Sequence, residues 1–203
     1  MRAWLRHPAA WWCVLLLGLL PLSALIGATV HEQLGANPAQ ALSRATGDWT
    51  LRGLCVVLAV TPLRVALGWP ELARFRRLLG LLTFLYALLH LLCYAWFDMG
   101  FDLADIARDI PKRPFVLVGT LAFVLLLLMA LSSWNAAIRW LGARRWQALH
   151  RSVYAVAVLS VLHFWWLRAG KNNLAEVMVY AAVLAVLLGW RAVRWWRQRR
   201  PCT

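Results

Sequence analysis

From Leu78 to Phe97 the chain reads LLGLLTFLYALLHLLCYAWF, 20 residues without a formal charge. A hydrocarbon layer of about 30 Å takes about 20 apolar residues as helix. Five further stretches meet that length and character, at roughly 10–30, 50–69, 115–134, 149–168 and 174–195. The connections between them are short. They leave no room for a separate soluble domain, and no low-complexity linker or repeat is visible. The expected fold is all-α: one domain over 1–203, an integral membrane bundle of six transmembrane helices.

Composition agrees. The chain is 63% hydrophobic and 15% charged, and a soluble fold of 203 residues would leave far too much of that apolar surface in water. The formal net charge of +14 raises the question of nucleic acid. The cations answer it by position, because most arginines flank the apolar runs. The N-terminus, the second-to-third and fourth-to-fifth connections and the tail hold 15 of the 22 Lys and Arg, among them Arg6, Arg74, Arg76, Arg77, Arg145, Arg151, Arg191 and Arg200. The other side holds seven, among them Arg44, Arg113, Arg168 and Lys171, together with seven of the eight acids. This bias predicts that both termini are cytoplasmic, with membrane lipid as the surroundings and no nucleic-acid partner. Trp11, Trp12, Trp49, Trp96, Trp165 and Trp195 fit as interface anchors. The first apolar run is long for a signal peptide and is expected to be a retained helix.

Cys13, Cys55, Cys93 and Cys202 form no CxxC pair, so they read as small packing residues. The loop FDMGFDLADIARDIPKRP (97–114) places Phe101, Leu103, Ile106 and Ile110 among four aspartates. A solvated connector and a short interfacial helix that docks an external partner are both open readings.

Ionisable residues inside a membrane are costly and tend to be functional. His7 and His31 fall at span ends, where water reaches them. His90 lies about 18 Å along the third span and His163 about 21 Å along the fifth, at ~1.5 Å per residue. Both spans start from the same side, so the two imidazoles share a depth towards the outer face. That arrangement can hold one metal between two helices. Imidazole is a common metal ligand and suits haem iron. Zinc lacks a matching cysteine or carboxylate at that depth, and no buried acid is evident to continue a proton relay. Hydrogen-bonded packing histidines are the bland alternative. His150 stands alone near the inner face. Thirteen residues separate it from His163, which at ~100° per residue puts the two on different faces of a straight helix. Tilt, curvature or local unwinding would have to close that gap.

This histidine pattern resembles the ferric reductase-like transmembrane superfamily, which includes the NADPH oxidases. There, two helices each carry two histidines and hold two stacked b-type haems. Most of the chain is similar to the haem-binding membrane subunits of bacterial periplasmic methionine sulfoxide reductase systems. The similarity is carried by NPAQALSRATGDWTLR (37–52), LAVTPLR (58–64), RRLLGLLTFLYALLHLL (76–92), DIPKRPFVLVG (109–119) and RRWQALHRSVYAVAVLSVLHFWW (144–166). The resemblance implies that His90, His150 and His163 are haem ligands. It implies haem b, one or two per chain, and an association with flavin mononucleotide. Electrons are then expected from the quinone pool or a cytoplasmic flavin reductase. They would pass to a periplasmic molybdopterin reductase of the MsrP type, which reduces methionine sulfoxide. The chain would be the electron-transfer subunit, with the sulfoxide reduced on the partner.

One departure stands out. The fourth histidine of the superfamily pattern would fall where Arg76 and Arg77 stand. Arginine is always protonated and is a poor iron ligand. Arg76 can instead pair with a haem propionate or a flavin phosphate, or serve only as a positive-inside anchor. No GxGxxG follows a strand, so no hydride is expected to be taken from NAD(P)H by the chain itself. Two rival functions are a histidine-relay proton channel or transporter, and a non-redox membrane anchor.

Overall fold

The computed structural model describes residues 2–169 and 174–199. Lys171, Arg200 and Cys202 lie outside the described residues. The described chain is helical and, among the described residues, contains no strand. Its helices are α1 (Arg2–Arg6), α2 (Pro8–Val30), α3 (Pro38–Leu67), α4 (Arg76–Cys93), α5 (Leu103–Lys112), α6 (Pro114–Leu131), α7 (Asn135–Arg151), α8 (Val153–Ala169) and α9 (Ala175–Arg199). A 3₁₀ turn, Pro70–Phe75, leads into α4, and a π turn, Tyr94–Asp98, follows it. Six helical segments are long and apolar enough to cross a membrane: α2, α3, α4 with its flanking turns, α6, α7–α8 and α9.

The second span begins much earlier than the hydropathy pattern predicts. Asn37 caps it through its side-chain oxygen, which accepts from Gln40 N at 3.0 Å, and Pro38 takes the first helical position. The resulting 30-residue helix is about 45 Å long at ~1.5 Å per residue. It exceeds the hydrocarbon thickness, so its polar first turns extend the bundle on the side of Ser43, Arg44 and Asp48. The helix ends at Gly68, whose φ of 64° forms a left-handed cap that non-glycine residues rarely adopt.

The fifth span is broken. α7 kinks at Gly142 (φ 73°), and α7 and α8 meet at Ser152. There the backbone N–H bonds Leu149 O, a tight three-residue turn, and Ser152 Oγ bonds the same carbonyl at 2.6 Å. His150 therefore ends one helix and His163 sits on the next. The break at Ser152 thus falls between the two histidines.

The core joins Leu51, Leu54 and Leu58 of α3, Ala87 of α4, Ala122 and Leu126 of α6, Val156, Ala157 and Phe164 of α8, and Leu184 of α9. The two most extensive pairings are α3 with α4 and α6 with α8. Lipid supplies no hydrophobic drive between helices, so close packing and hydrogen bonds hold them. α2 is peripheral and buries only Ala10. It is tied to α4 by the Tyr86 hydroxyl, which donates to Gly18 O (2.8 Å) and accepts from Leu22 N (3.1 Å), inserting into the ladder beside Pro21.

The arginine-rich connections share one face. Arg6 pairs with Glu71 at 2.6 Å, Arg74 donates to the carbonyls of Leu5 and Arg6, and Arg77 donates to Asn135 Oδ1. On the opposite face, residues 97–114 include the short helix α5, whose Asp102 caps it by accepting from Ala104 N and Asp105 N. Asp109 lies within reach of both Arg113 and the Tyr94 hydroxyl. Hydrogen bonds from Arg113, then from Tyr94, hold its carboxyl below the usual carboxylate range. Arg113 is correspondingly raised, first by its bond to Asp109. Cys13, Cys55 and Cys93 are free and partly buried.

Candidate haem-binding site

His90 projects from α4 against α3, and His163 from α8 against α6. Each bonds a carbonyl of the helix it packs on: His90 Nδ1 to Ser43 O at 2.8 Å, and His163 Nδ1 to Phe115 O at 2.7 Å. A carbonyl only accepts, so each Nδ1 carries the proton and each Nε2 keeps its lone pair, the form that binds a metal. The ring centres are 6.1 Å apart and the rings cross at 82°. Two imidazoles that ligate one metal from opposite sides at ~2 Å bring their ring centres to about 6 Å. The pair thus has the tautomer and a ring spacing compatible with holding one metal between them.

A cavity of about 210 Å³ includes both histidines in its wall. Its deeper lining is apolar, with Leu51, Ala87, Ala122, Phe123, Leu126 and Phe164. Arg44, Asp48, Tyr94 and Asp98 add polar groups. A flat apolar macrocycle with carboxylates at one edge matches that division, and Arg44 is the cation placed to meet a carboxylate. Among the described residues no cluster of three His, Cys, Asp or Glu side chains is gathered for a bare metal ion. Asp48 corrects the expectation that no acid accompanies the histidines: it is half-buried in α3 and lines the cavity they share. Sequence reading missed it because it was counted among the outer-face acids.

His150 is not part of this group. It stacks on Trp146, ring centres 4.0 Å apart, and its Nδ1 bonds Trp146 O at 3.1 Å. It lines a second, larger cavity of about 580 Å³ towards the arginine-rich face. Arg76, Arg77, Arg151 and Arg191 line it too, and among the described residues no carboxylate and no second histidine does. Arg191 was read from sequence only as a tail anchor. It reaches inward from α9, donating to Leu187 O at 2.9 Å and to Leu58 O, and its guanidinium lies 5.8 Å from the Tyr154 ring centre. Its place inside the last apolar run was the available signal. Leu126 lines both cavities, so they stack through the bundle with a shared wall.

The family model "Ferric reductase like transmembrane component" matches residues 46–161, which contain His90 and His150. A protein of Polaromonas naphthalenivorans is 62% identical over 98% of this chain and 91% of its own length. A Bordetella pertussis protein is 48% identical over 90% and 88%. A third, from Xanthomonas campestris pv. campestris, is 45% identical over 79% and 72%. All three are named protein-methionine-sulfoxide reductase heme-binding subunit MsrQ. The chain belongs to the MsrQ family of ferric reductase-like transmembrane proteins. No solved structure matches it. The family match stops at residue 161, two short of His163, and leaves out Arg44 and Arg191. Both arginines nevertheless line the cavities, Arg44 the outer and Arg191 the inner.

Proposed function

We propose that the protein is a haem-binding electron-transfer subunit of a multi-pass bacterial inner-membrane system for methionine sulfoxide repair. The observation that carries this reading is the His90–His163 pair: matched depth, Nδ1 protons fixed by carbonyls, and ring centres 6.1 Å apart. Haem b bound there would supply reversible one-electron chemistry at its iron. The chain's own residues supply the rest. His90 and His163 would hold the group through their Nε2 nitrogens, the apolar wall would exclude water, and Arg44 would be available to a propionate.

The inner cavity is the entry side of the same route. His150 offers a single nitrogen, while Arg76 and its neighbours offer cations without a histidine opposite. A second haem held by His150, with its propionates on arginine, fits this lining. So does flavin mononucleotide, whose phosphate Arg76 can bind. Electrons enter from a quinol or a cytoplasmic flavin reductase. They leave on the acid-bearing face to a periplasmic MsrP-type molybdopterin reductase, where the sulfoxide is reduced. The 15-to-seven bias of cations supports the sidedness of this route, with the arginine-rich face on the cytoplasmic side.

The deciding experiment is a reduced-minus-oxidised spectrum of the purified full chain, with haem quantified per chain. A Soret band that shifts on dithionite supports the reading. A colourless protein after haem-supplemented expression overturns it and leaves the proton-relay alternative, for which Asp48 beside the histidines would be the acid.

A further inference from the structure

The two axial histidines meet their neighbouring helices in the same way. His90 Nδ1 bonds Ser43 O, and four residues on stands Gly47; His163 Nδ1 bonds Phe115 O, and four residues on stands Gly119. In an α-helix the carbonyl of residue i already accepts from the N–H of residue i+4. The Cβ of residue i+4 tilts back over that carbonyl. A second donor reaches the carbonyl from outside only where this cover is missing.

Both sites show the need directly. A Cβ at Gly47 would lie 3.1 Å from Cε1 and 3.2 Å from Nδ1 of His90. A Cβ at Gly119 would lie 2.8 Å from Nδ1 and 2.9 Å from Cε1 of His163, closer than real contacts allow. Gly27 and Gly189, also within membrane helices, meet nothing within 4 Å. Gly18 and Gly53 also face close side chains, Leu82 and Thr83, but at Gly47 and Gly119 the neighbour is the imidazole that bonds the carbonyl four residues earlier.

We propose that Gly47 and Gly119 are positioning residues for the axial ligands, each opening the carbonyl four residues earlier so that it fixes the tautomer and plane of the imidazole facing it. The inference rests on the haem reading of the His90–His163 pair and names what aims that pair. A methyl group at either position pushes the ring off its carbonyl, frees Nδ1 and turns Nε2 away from the shared axis. Partners of this kind, which orient a ligating histidine, are commonly worth ~10–100-fold in affinity for the metal group. The closer contact makes Gly119 the more sensitive of the two.

The test uses the full chain in detergent, titrated with haem. Gly119→Ala is expected to weaken haem binding at the outer site ~10–100-fold and to move the g-values of the low-spin ferric signal. Gly47→Ala should do so to a smaller degree, and Gly27→Ala and Gly189→Ala should do neither. Wild-type affinity and g-values in both Gly119→Ala and Gly47→Ala overturn the proposal. A second arm needs no haem. Gly119→Ala should lower the thermal midpoint of the haem-free chain, but not in a His163→Ala background, where the ring it strikes is gone. An equal loss in both backgrounds means that the glycine serves helix packing, and also overturns the proposal. A wild-type chain that binds no haem sinks the haem reading by itself, while this second arm still reports on the glycine–imidazole contact.

Discussion

The two cavities of this bundle contrast in how they are built. The outer one, between α3–α4 and α6–α8, is assembled from paired parts: a histidine on each of two helices and a receiving carbonyl on each of their neighbours. The inner one has a single histidine bonded within its own helix and four arginines gathered from α4, α7 and α9. The first is specified by direction, since axial ligation needs two nitrogens on one line. The second is specified by charge, since an anionic group can be held by several cations without a shared axis. A matched site fails when one member is lost. A charge-built site weakens by degrees.

That difference sets the size of the expected effects. His163→Ala and His90→Ala should be the most severe, each abolishing the low-spin signal of the outer haem and the sulfoxide reduction in cells that depends on it. Haem per chain and electron paramagnetic resonance measure the first effect, and a cellular repair assay the second. An intact low-spin signal in His163→Ala would break the assignment. His150→Ala should leave that outer signal in place while removing whatever haem or flavin the inner cavity holds. Iron, haem and flavin counts on the same preparation test this, and a cofactor content equal to wild type would show that His150 holds none.

Arg191→Gln should give a smaller, graded loss. A hydrogen bond to a charged group contributes about 1.5–3 kcal/mol, so the inner cofactor should bind roughly 10–100-fold more weakly with its identity unchanged. Arg76→Gln should act in the same direction. Comparing haem with its dimethyl ester, and flavin mononucleotide with riboflavin, shows which anion these arginines meet. Equal binding of the charged and uncharged forms would reduce them to topology anchors.

Much of the outer site was legible in the chain before folding. The depth of His90 and His163 follows from span starts and helical rise alone, and the structure brings their rings together. The residues that aim them were not legible. Ser43 and Phe115 act through backbone carbonyls, which carry no side-chain signature, and Gly47 and Gly119 act by lacking a side chain. The early start of α3 was also hidden, because its first turns are too polar for a hydropathy window, yet those turns bring Ser43 to His90. Arg191 shows the opposite failure. Its type was noticed, but among five basic residues of a tail its inward reach depends on packing against α3. The break at Ser152 was not legible: helical phase set His150 and His163 on different faces of a straight helix and said nothing of a bend.

The smallest effect tests whether the acid-bearing face is merely a cover for the outer cavity. Asp109 joins the end of α5 to Arg113 and Tyr94, close to where Phe115 offers its carbonyl to His163. Its folded carboxyl is held below the ordinary value of about 3.9 by those partners. A depressed carboxylate contributes stability that is full above its unfolded pKa and is lost as pH falls through the folded one. Asp109→Asn should therefore lower the protection of α5 amides at neutral pH slightly and remove the part of its acid sensitivity that Asp109 supplies, leaving that of the Asp102 cap. Wild-type protection should fall only below about pH 4. Hydrogen exchange of residues 103–112 across that range measures both. The outer haem signal should stay unchanged in this variant, because the His163 carbonyl belongs to α6 and not to the surface helix. If the g-values shift with Asp109→Asn, the outer site depends on the loop above it, and the contrast between a self-contained axial pair and a charge-built inner pocket would have to be redrawn.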